Sequence, residues 1–450
     1  MNKRLLAVAA VLVLSVIVFS TCVHKGEDGG DVRGAAYAGS AACLKCHRNV
    51  CDSFFHTAHA LTSRMADSNS VKGSFTPPDN VFSYGPGREV VMERRDSGLY
   101  QVATIEGKKV AHRFDIAIGS GRKAQTYLFW SGDSVRQLPV SYFVYTNSWA
   151  NSPSFPNNLV WFNRIIPIRC FECHSSYIQK KPTIRIDAFH ALDQFDRTKV
   201  VYGIDCERCH GPGAEHAAYQ EAYPADKQVR YIRSYASLNR LQRMDLCGVC
   251  HSGSHEMSKS AFRFKPGDTL SNFYYAESHV IQKPSAMDVH GNQYQLLIGS
   301  KCYLKSSTLV CTSCHAPHAM ERDNLAAFSQ KCMNCHRPDG GGGNGIAAGD
   351  SVAAAGGDRA AGGGNGVAGA HGAMTETHGA GAAPFCKMAA QLGAAVLARN
   401  CIDCHMPARA SRVITLQTTE QKDPMADFVR SHYITIYPDE TKKFIAAMKH

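Results

Sequence analysis

The sequence predicts a mainly α-helical and irregular fold that carries one inserted antiparallel β module. Seven copies of the pentapeptide C-x-x-C-H occur in the 450 residues, and six of them fall between Cys170 and His405. β-forming residues separated by turn signals lie between the first and second copies. A Gly- and Ala-rich tract separates the sixth copy from the seventh. Chain segments of three kinds are therefore expected.

The seven pentapeptides carry the chemistry of the chain. Two thiols three positions apart can add to the two vinyl groups of one haem, and the adjacent histidine is placed to ligate its iron. Seven covalently bound haem c groups are therefore expected, each with its motif histidine as the proximal ligand. The predicted attachment residues are Cys43, Cys46, His47, Cys170, Cys173, His174, Cys206, Cys209, His210, Cys247, Cys250, His251, Cys311, Cys314, His315, Cys332, Cys335, His336, Cys401, Cys404 and His405.

Two other interpretations of these cysteines compete with haem. Zinc needs two C-x-x-C pairs, or one pair with spaced histidines, around a single ion, and it does not require a histidine after every second cysteine. A framework made only of disulfides is the second alternative. The histidine after each pair favours haem.

The density of the motifs determines the expected core. With six motifs between Cys170 and His405, little polypeptide remains for each cofactor. The porphyrins themselves would then form most of the apolar interior, and helices and loops would surround them. The predicted fold class is thus a haem-packed multihaem cytochrome c core with an inserted antiparallel β module.

The N-terminus has the features of an export signal. Lys3 and Arg4 precede an apolar run, Leu5–Phe19, that carries no charge. This run is shorter than the ~20 residues of a membrane-spanning helix, although an uncleaved anchor is an alternative. The following Cys22 is in a context that resembles a lipoprotein cleavage site, and ordinary cleavage near Ser20 is the other interpretation. The sequence therefore predicts a periplasmic protein, or one anchored to a membrane and facing the periplasm or the cell surface.

Composition along the chain suggests six segments. The tract rich in Gly and Ala cannot bury enough apolar surface to offset its backbone entropy, so a flexible insert is expected there. The expected segments are a signal peptide (1–21), a first-haem segment (22–72), a β-rich inserted module (73–165), a five-haem core (166–338), the Gly/Ala-rich flexible insert (339–383), and a C-terminal helix with the seventh haem and a tail (384–450).

Charge does not indicate a nucleic-acid partner. The formal net charge is +11, but seven haems would add about 14 propionate charges of the opposite sign. Basic residues can solvate those propionates, and no basic stripe with interleaved aromatic residues is present. The expected partners are redox proteins.

Fourteen histidines outside the motifs could supply the second ligand of each iron. His216 and His318 follow their own motifs so closely that they are poorly placed to reach the opposite face of the same haem, so an adjacent haem is expected for each. For every candidate, propionate binding or a surface position is the alternative. The distal candidates are His59, His216, His290, His318 and His432, followed by His56, His112 and His190.

Three further thiols, Cys51, Cys302 and Cys386, lie outside the motifs and apart from Cys22. A disulfide between two of them and a buried, inert thiol are both open interpretations. Thiolate ligation of an iron is the third.

Four segments resemble the multihaem cytochromes related to cytochrome c-554. They are Gly203–His216, Cys311–His318, Cys401–Pro407 and Phe54–His59. The resemblance implies electron transfer through closely spaced, largely bis-His haems in stacked and perpendicular pairs. The four-haem member of that family contains one five-coordinate haem, so the resemblance also allows an open iron here. Seven motifs exceed the four of that member, so its haem geometry is not carried over.

Three hypotheses for function follow. The first is a non-enzymatic electron carrier. The second is a multihaem oxidoreductase of a small nitrogen or sulfur compound, which needs one iron with an open face; no C-x-x-C-K occurs, so a lysine-ligated haem of that type is excluded. The third is a docking subunit whose β module binds a partner.

Overall fold

The computed structural model describes residues 30–187, 191–253, 256–275, 283, 286–322, 324–336, 386–420 and 423–448. These divide into two compact units. The first contains the described residues within Met1–Tyr294, Pro317–Met320 and Ala410–Phe428, and the second contains those within Gln295–Ala316, Glu321–Arg409 and Val429–His450. The predicted signal peptide, Cys22, the flexible insert 339–383 and His190 lie outside the described residues.

The first unit begins with two short helices. Helix α1 (Ser40–Cys46) carries the first motif, and α2 (Arg48–Phe54) follows it. The apolar side chains of Cys51 and Phe54 on α2 are buried.

Ten short strands follow these helices and form two antiparallel sheets. The four-stranded sheet has the order β2-β3-β4-β5, and the six-stranded sheet has the order β1-β6-β7-β9-β10 with β8 paired to β7. Turn residues such as Gly87 and Gly107, both with positive φ, separate the strands of the first sheet. The strands are β1 (Ser63–Met65), β2 (Val81–Gly85), β3 (Arg88–Arg95), β4 (Gly98–Ile105), β5 (Lys108–Arg113), β6 (Ile116–Ile118), β7 (Ala124–Ser131), β8 (Ser134–Gln137), β9 (Val140–Phe143) and β10 (Ser148–Asn151).

An aromatic core joins the two sheets. The rings of Phe114, Tyr127 and Trp149 pack on one another with centroids 4.7 to 6.2 Å apart, and all three are almost fully buried. The Trp149 indole N–H donates to the Ser74 carbonyl at 2.8 Å, so its polar atom is satisfied within the apolar cluster.

The remainder of the first unit alternates helices with one long hairpin. Helix α3 (Ile168–His174) leads into β11 (Ser175–Arg185), which pairs with β12 (Ala191–Tyr202) through three irregularities of register. This hairpin occupies a segment that the sequence analysis assigned to helices and loops. After it come α4 (Cys206–His210), α5 (Ala214–Ala222) and α6 (Arg240–His251), and the last of these begins with a capping box formed by Asn239 and Gln242.

Gly203 connects the hairpin to the third motif and requires its glycine. Its φ is +67°, and a Cβ at this position would lie 2.1 Å from the Ala60 carbonyl oxygen. The Gly203 N–H donates to the Ser63 hydroxyl at 2.9 Å. The close approach of two backbones fixes the chain as it enters the third motif.

The described residues from Gln293 onward form helices and one hairpin. The helices are α7 (Gln293–Ile298), α8 (Lys301–Lys305), α9 (Leu325–Met333), α10 (Ala389–Leu392), α11 (Ala394–His405) and α12 (Pro438–Ala447), and the strands are β13 (Ala408–Leu416) and β14 (Met425–Arg430). Gly393, with φ +75°, ends α10 and begins α11, so the single helix expected before the seventh motif is two helices. Within the described residues, no helix has the length and apolar composition needed to cross a membrane.

Candidate haem-binding sites

Most motifs lie on or at the end of a helical turn. Helices α3, α6 and α11 end at motif histidines His174, His251 and His405, and α4 consists of the third motif. Residues three and four positions apart share one face of a helix. The first cysteine, the second cysteine and the histidine of such a motif therefore point to the same side.

Side-chain caps hold several of these helices in place. The Asp205 carboxylate accepts from the Arg208 N–H at 2.8 Å and begins α4. The Asn324 side chain accepts from the Ala327 N–H at 3.2 Å and begins α9, which carries the first cysteine of the sixth motif. An N-cap satisfies a backbone donor that the helix itself leaves unpaired.

Thiols from different motifs meet in three pairs. Cys43 contacts Cys206, Cys173 contacts Cys250, and Cys332 contacts Cys401 through their side chains. These contacts connect the first motif with the third, the second with the fourth, and the sixth with the seventh. Burial raises the pKa of the neighbouring Cys209 and Cys314 thiols to about 11.

Four motif histidines face a second histidine from a distant part of the chain. The ring centroids are 6.5 Å apart for His47 with His216, 5.8 Å for His210 with His318, 6.1 Å for His59 with His251, and 6.0 Å for His315 with His432. Three of these pairs have rings within 28° of parallel, and the pair of His59 and His251 is at 85°. His216 and His318 thus face the histidines of other motifs and not their own.

A fifth pair, His174 with His290, is indicated by an electrostatic interaction between the two rings. Burial, together with a smaller contribution from the neighbouring His290, lowers the pKa of His174 to about 4. Burial likewise lowers the pKa of His432 to about 4, with a smaller contribution from His315. Both rings are therefore neutral near pH 7, which is the protonation state that binds a metal.

Hydrogen bonds that involve Nδ1 orient three histidine rings. The Nδ1 of His216 lies 2.7 Å from the Arg230 carbonyl, that of His405 lies 2.9 Å from the Thr435 carbonyl, and that of His174 lies 3.1 Å from the Thr62 hydroxyl. A proton on Nδ1 directed at an oxygen leaves the Nε2 lone pair for a metal.

These residues fit haem better than they fit zinc or disulfides. Two imidazole nitrogens on opposite sides of one metal ion, each about 2.0 Å from it and about 1.2 Å from its ring centre, place the ring centres roughly 6.4 Å apart. The four ring separations in the structure, 5.8 to 6.5 Å, lie close to that value. Among the described residues, no three His, Cys, Asp or Glu side chains converge as a metal cluster, and no disulfide joins any of the 17 described cysteines, which include Cys51, Cys302 and Cys386.

The other distal candidates lie elsewhere. His56 is exposed just after α2. His112 on β5 packs against Phe129 and Phe162, with centroids 4.2 and 4.5 Å away. His190 lies outside the described residues.

Buried charges inside the motifs escaped the sequence analysis. Glu172 of the second motif and Glu207 of the third are both almost fully buried. The Glu207 carboxylate accepts from the Ala38, Gly39 and Gly213 N–H groups. A charged residue between the two cysteines of a motif is the sequence feature that could have pointed to these buried carboxylates.

The segment that contains the second and third motifs matches a known family. Residues 164–211 match the family model described as cytochrome c554 and c-prime. Together with the curated relative described below and the seven motifs, this match confirms the class that the motifs predicted. The chain is a multihaem c-type cytochrome, and haem c is its cofactor.

Two proteins that this chain resembles are named as cytochromes. The multiheme cytochrome MtrA of Shewanella baltica (strain OS185) is 23% identical over 181 residues, which are 37% of this chain and 51% of that protein. The chain therefore matches about half the length of this curated relative. The crystal structure of the outer cell wall cytochrome OcwA superposes with a TM-score of 0.47 at 15% identity, covering 91% of this chain and 81% of that one.

Proposed function

We propose that the protein is an electron carrier that passes electrons through seven closely spaced haems outside the cytoplasm. The observation that carries the proposal is the set of four histidine pairs whose rings stand 5.8 to 6.5 Å apart. An iron held between two histidines has no open position for a substrate. Such an iron suits electron transfer and not catalysis.

The pairs assign ligands to five of the seven motifs. In this proposal His216 completes the iron of the first motif, His290 that of the second, His318 that of the third, His59 that of the fourth, and His432 that of the fifth. The support is the ring contact in four cases and the electrostatic coupling of His174 with His290 in the other.

The thiol contacts supply the spacing that a carrier needs. When bound, haem supplies reversible one-electron chemistry at iron. The protein holds the attachment points of the first and third motifs together, and likewise those of the second and fourth and of the sixth and seventh. Because thioether bonds would hold one edge of each porphyrin at its two cysteines, adjacent attachment cysteines would bring the haems that they bind close together.

The proposed location outside the cytoplasm is supported by the chemistry of haem attachment. Haem c is attached outside the cytoplasm, and Lys3, Arg4 and the apolar run after them resemble an export signal. The protein would act in the periplasm or at the cell surface, either free or attached through Cys22 or an uncleaved N-terminus. Donor and acceptor proteins are its partners.

A matched pair of histidine variants tests the ligand assignment. His59 and His56, three residues earlier, are both exposed, and His59 faces His251. We expect His59→Ala to produce one high-spin ferric haem in low-temperature EPR and His56→Ala to leave the spectrum unchanged. The mass of the intact holoprotein gives the haem number, for which seven is expected.

Two results would contradict the carrier. One is a large high-spin signal in the unmodified protein, which would mean that several irons lack a second histidine. The other is steady-state turnover of nitrite, hydroxylamine, nitric oxide or tetrathionate, which would favour the oxidoreductase.

A further inference from the structure

Two buried clusters of charge flank the thiol contacts of the first unit. The first, here called the acidic cluster, consists of Asp31, Arg33, Asp205 and Glu207. The Arg33 guanidinium lies 2.8 Å from the Asp31 carboxylate, 2.7 Å from that of Asp205 and 2.8 Å from that of Glu207. All four side chains are at most 8% exposed. Three carboxylates and one guanidinium give a formal charge of −2.

The acidic cluster lies at the attachment points of the first and third motifs. Asp205 and Glu207 directly flank Cys206, whose thiol contacts Cys43 and donates to the Ser40 hydroxyl at 3.7 Å. Glu207 is also within electrostatic reach of Cys43. The buried negative charge is therefore closest to the first and third haem positions.

The second cluster, here called the arginine cluster, consists of Arg169, Glu172 and Arg208. Arg169 forms an ion pair with Glu172 at 3.5 Å, and the Glu172 carboxylate also accepts from the Ser260 hydroxyl at 2.6 Å and the Ala261 N–H at 3.0 Å. The Nε atoms of Arg169 and Arg208 are buried and have no hydrogen-bond partner. Two guanidiniums and one carboxylate give a formal charge of +1.

The arginine cluster lies at the attachment points of the second and fourth motifs. The Glu172 carbonyl oxygen accepts from Arg208 Nη2 at 3.2 Å and is 3.7 Å from the Cys250 thiol. Arg169 Nη2 donates to the Val249 carbonyl at 3.3 Å. Arg208 belongs in sequence to the third motif, but its guanidinium is directed to the second and fourth.

Buried charges of opposite sign act in opposite directions on a nearby iron. Reduction adds an electron, so a neighbouring positive charge stabilises the reduced state and a negative charge destabilises it. Water screens such interactions weakly at buried positions. The two clusters therefore shift the reduction potentials of the two pairs of haems in opposite directions.

We propose that these clusters set a gradient of reduction potential within the first unit, with the second and fourth haems higher than the first and third. The proposal rests on the carrier function and adds a direction of electron transfer, from the first and third haems to the second and fourth. One electron that leaves an iron of the first pair oxidises it and reduces an iron of the second pair. No bond is made or broken, and no proton is required.

Redox potentiometry of the holoprotein tests the gradient through variants of opposite sign. Asp31→Asn removes a negative charge near the first and third haems and should raise the lowest potentials of the four haems of the first unit. Glu172→Gln should raise the highest potentials, and Arg208→Met should lower them. Each shift should correspond to about a tenfold change in the reduction equilibrium, which is about 59 mV for one electron. Arg169→Gln repeats the sign of Arg208→Met if that variant fails to fold.

Asp96→Asn is the matched control, since Asp96 is an exposed carboxylate in the turn between β3 and β4. It should shift no potential. The gradient is overturned if Glu172→Gln and Arg208→Met move potentials in the same direction, or if Asp31→Asn raises the highest waves and not the lowest. Haem number and low-spin EPR are recorded for every variant. If they are normal while the shifts are absent, the gradient fails and the carrier proposal stands.

Discussion

The Nδ1 partner of His174 differs in kind from those of His216 and His405. Those two rings are held by backbone carbonyls, whereas His174 meets the Thr62 hydroxyl at 3.1 Å. A hydrogen bond from Nδ1 makes the imidazole a stronger donor to its metal and fixes the plane of the ring. A side chain, unlike a carbonyl, can be removed by mutation without moving the backbone.

Thr62→Val should therefore raise the reduction potential of the haem at the second motif. Valine keeps the shape of threonine but accepts no hydrogen bond, so His174 becomes a weaker donor and the ferric state loses stabilisation. Potentiometry with EPR of the low-spin signals provides the measurement. Thr62→Ser keeps the hydroxyl and should leave the reduction potential unchanged. Equal shifts of the potential in both variants would contradict the prediction.

Proximal residues and their partners differ in how far the sequence can predict them. A motif such as Cys206–His210 is local, because one helical turn brings its cysteines and histidine together. His47 and His216 are joined only by the folded chain, and nothing in their neighbouring residues specifies the pair. The contacts of charged residues are equally hard to predict from the sequence. Arg208 belongs to the third motif in the sequence, but its side chain contacts the carbonyl of Glu172 in the second.

At the scale of elements, short helices hold the motifs and depend on their caps. Helix α6 ends in the fourth motif and begins with Asn239, whose side chain accepts from the Gln242 N–H at 2.9 Å while the Gln242 side chain accepts from the Asn239 N–H at 3.1 Å. The residues of this capping box are visible in the sequence. The β11–β12 hairpin is less visible, because its exposed lysines and three register irregularities weaken the alternating pattern.

Asn239→Ala should destabilise the first turn of α6 by about 1 kcal/mol. That loss corresponds to roughly a fivefold faster exchange of the amide hydrogens in the turn, when exchange occurs by local opening. Hydrogen exchange followed by mass spectrometry of the peptide that contains Gln242 is the measurement. Asn239→Asp retains the acceptor and should keep its protection, and a variant pair with identical exchange would argue against the cap.

At the scale of the whole molecule, the two units differ in what they bury. The four apolar clusters found among the described residues all belong to the first unit, and the largest is the aromatic core around Tyr127. In the described part of the second unit, few apolar side chains are buried. They are Leu296, Leu297, Val310, Leu397 and Ile402. The described part of this unit buries so little apolar surface that it needs another source of stability.

We propose that haem provides that source in the second unit, so the two units should respond differently to its loss. In protein expressed without haem attachment, limited proteolysis should cut the second unit quickly and leave the sheets of residues 73–165 intact, because their aromatic core contains no motif. The fully loaded holoprotein, digested in parallel, should resist in both regions. Mass spectrometry of the fragments identifies the cuts. Equal resistance of both units in the haem-free protein would mean that polypeptide packing alone stabilises the second unit, and the porphyrins would then not form its core.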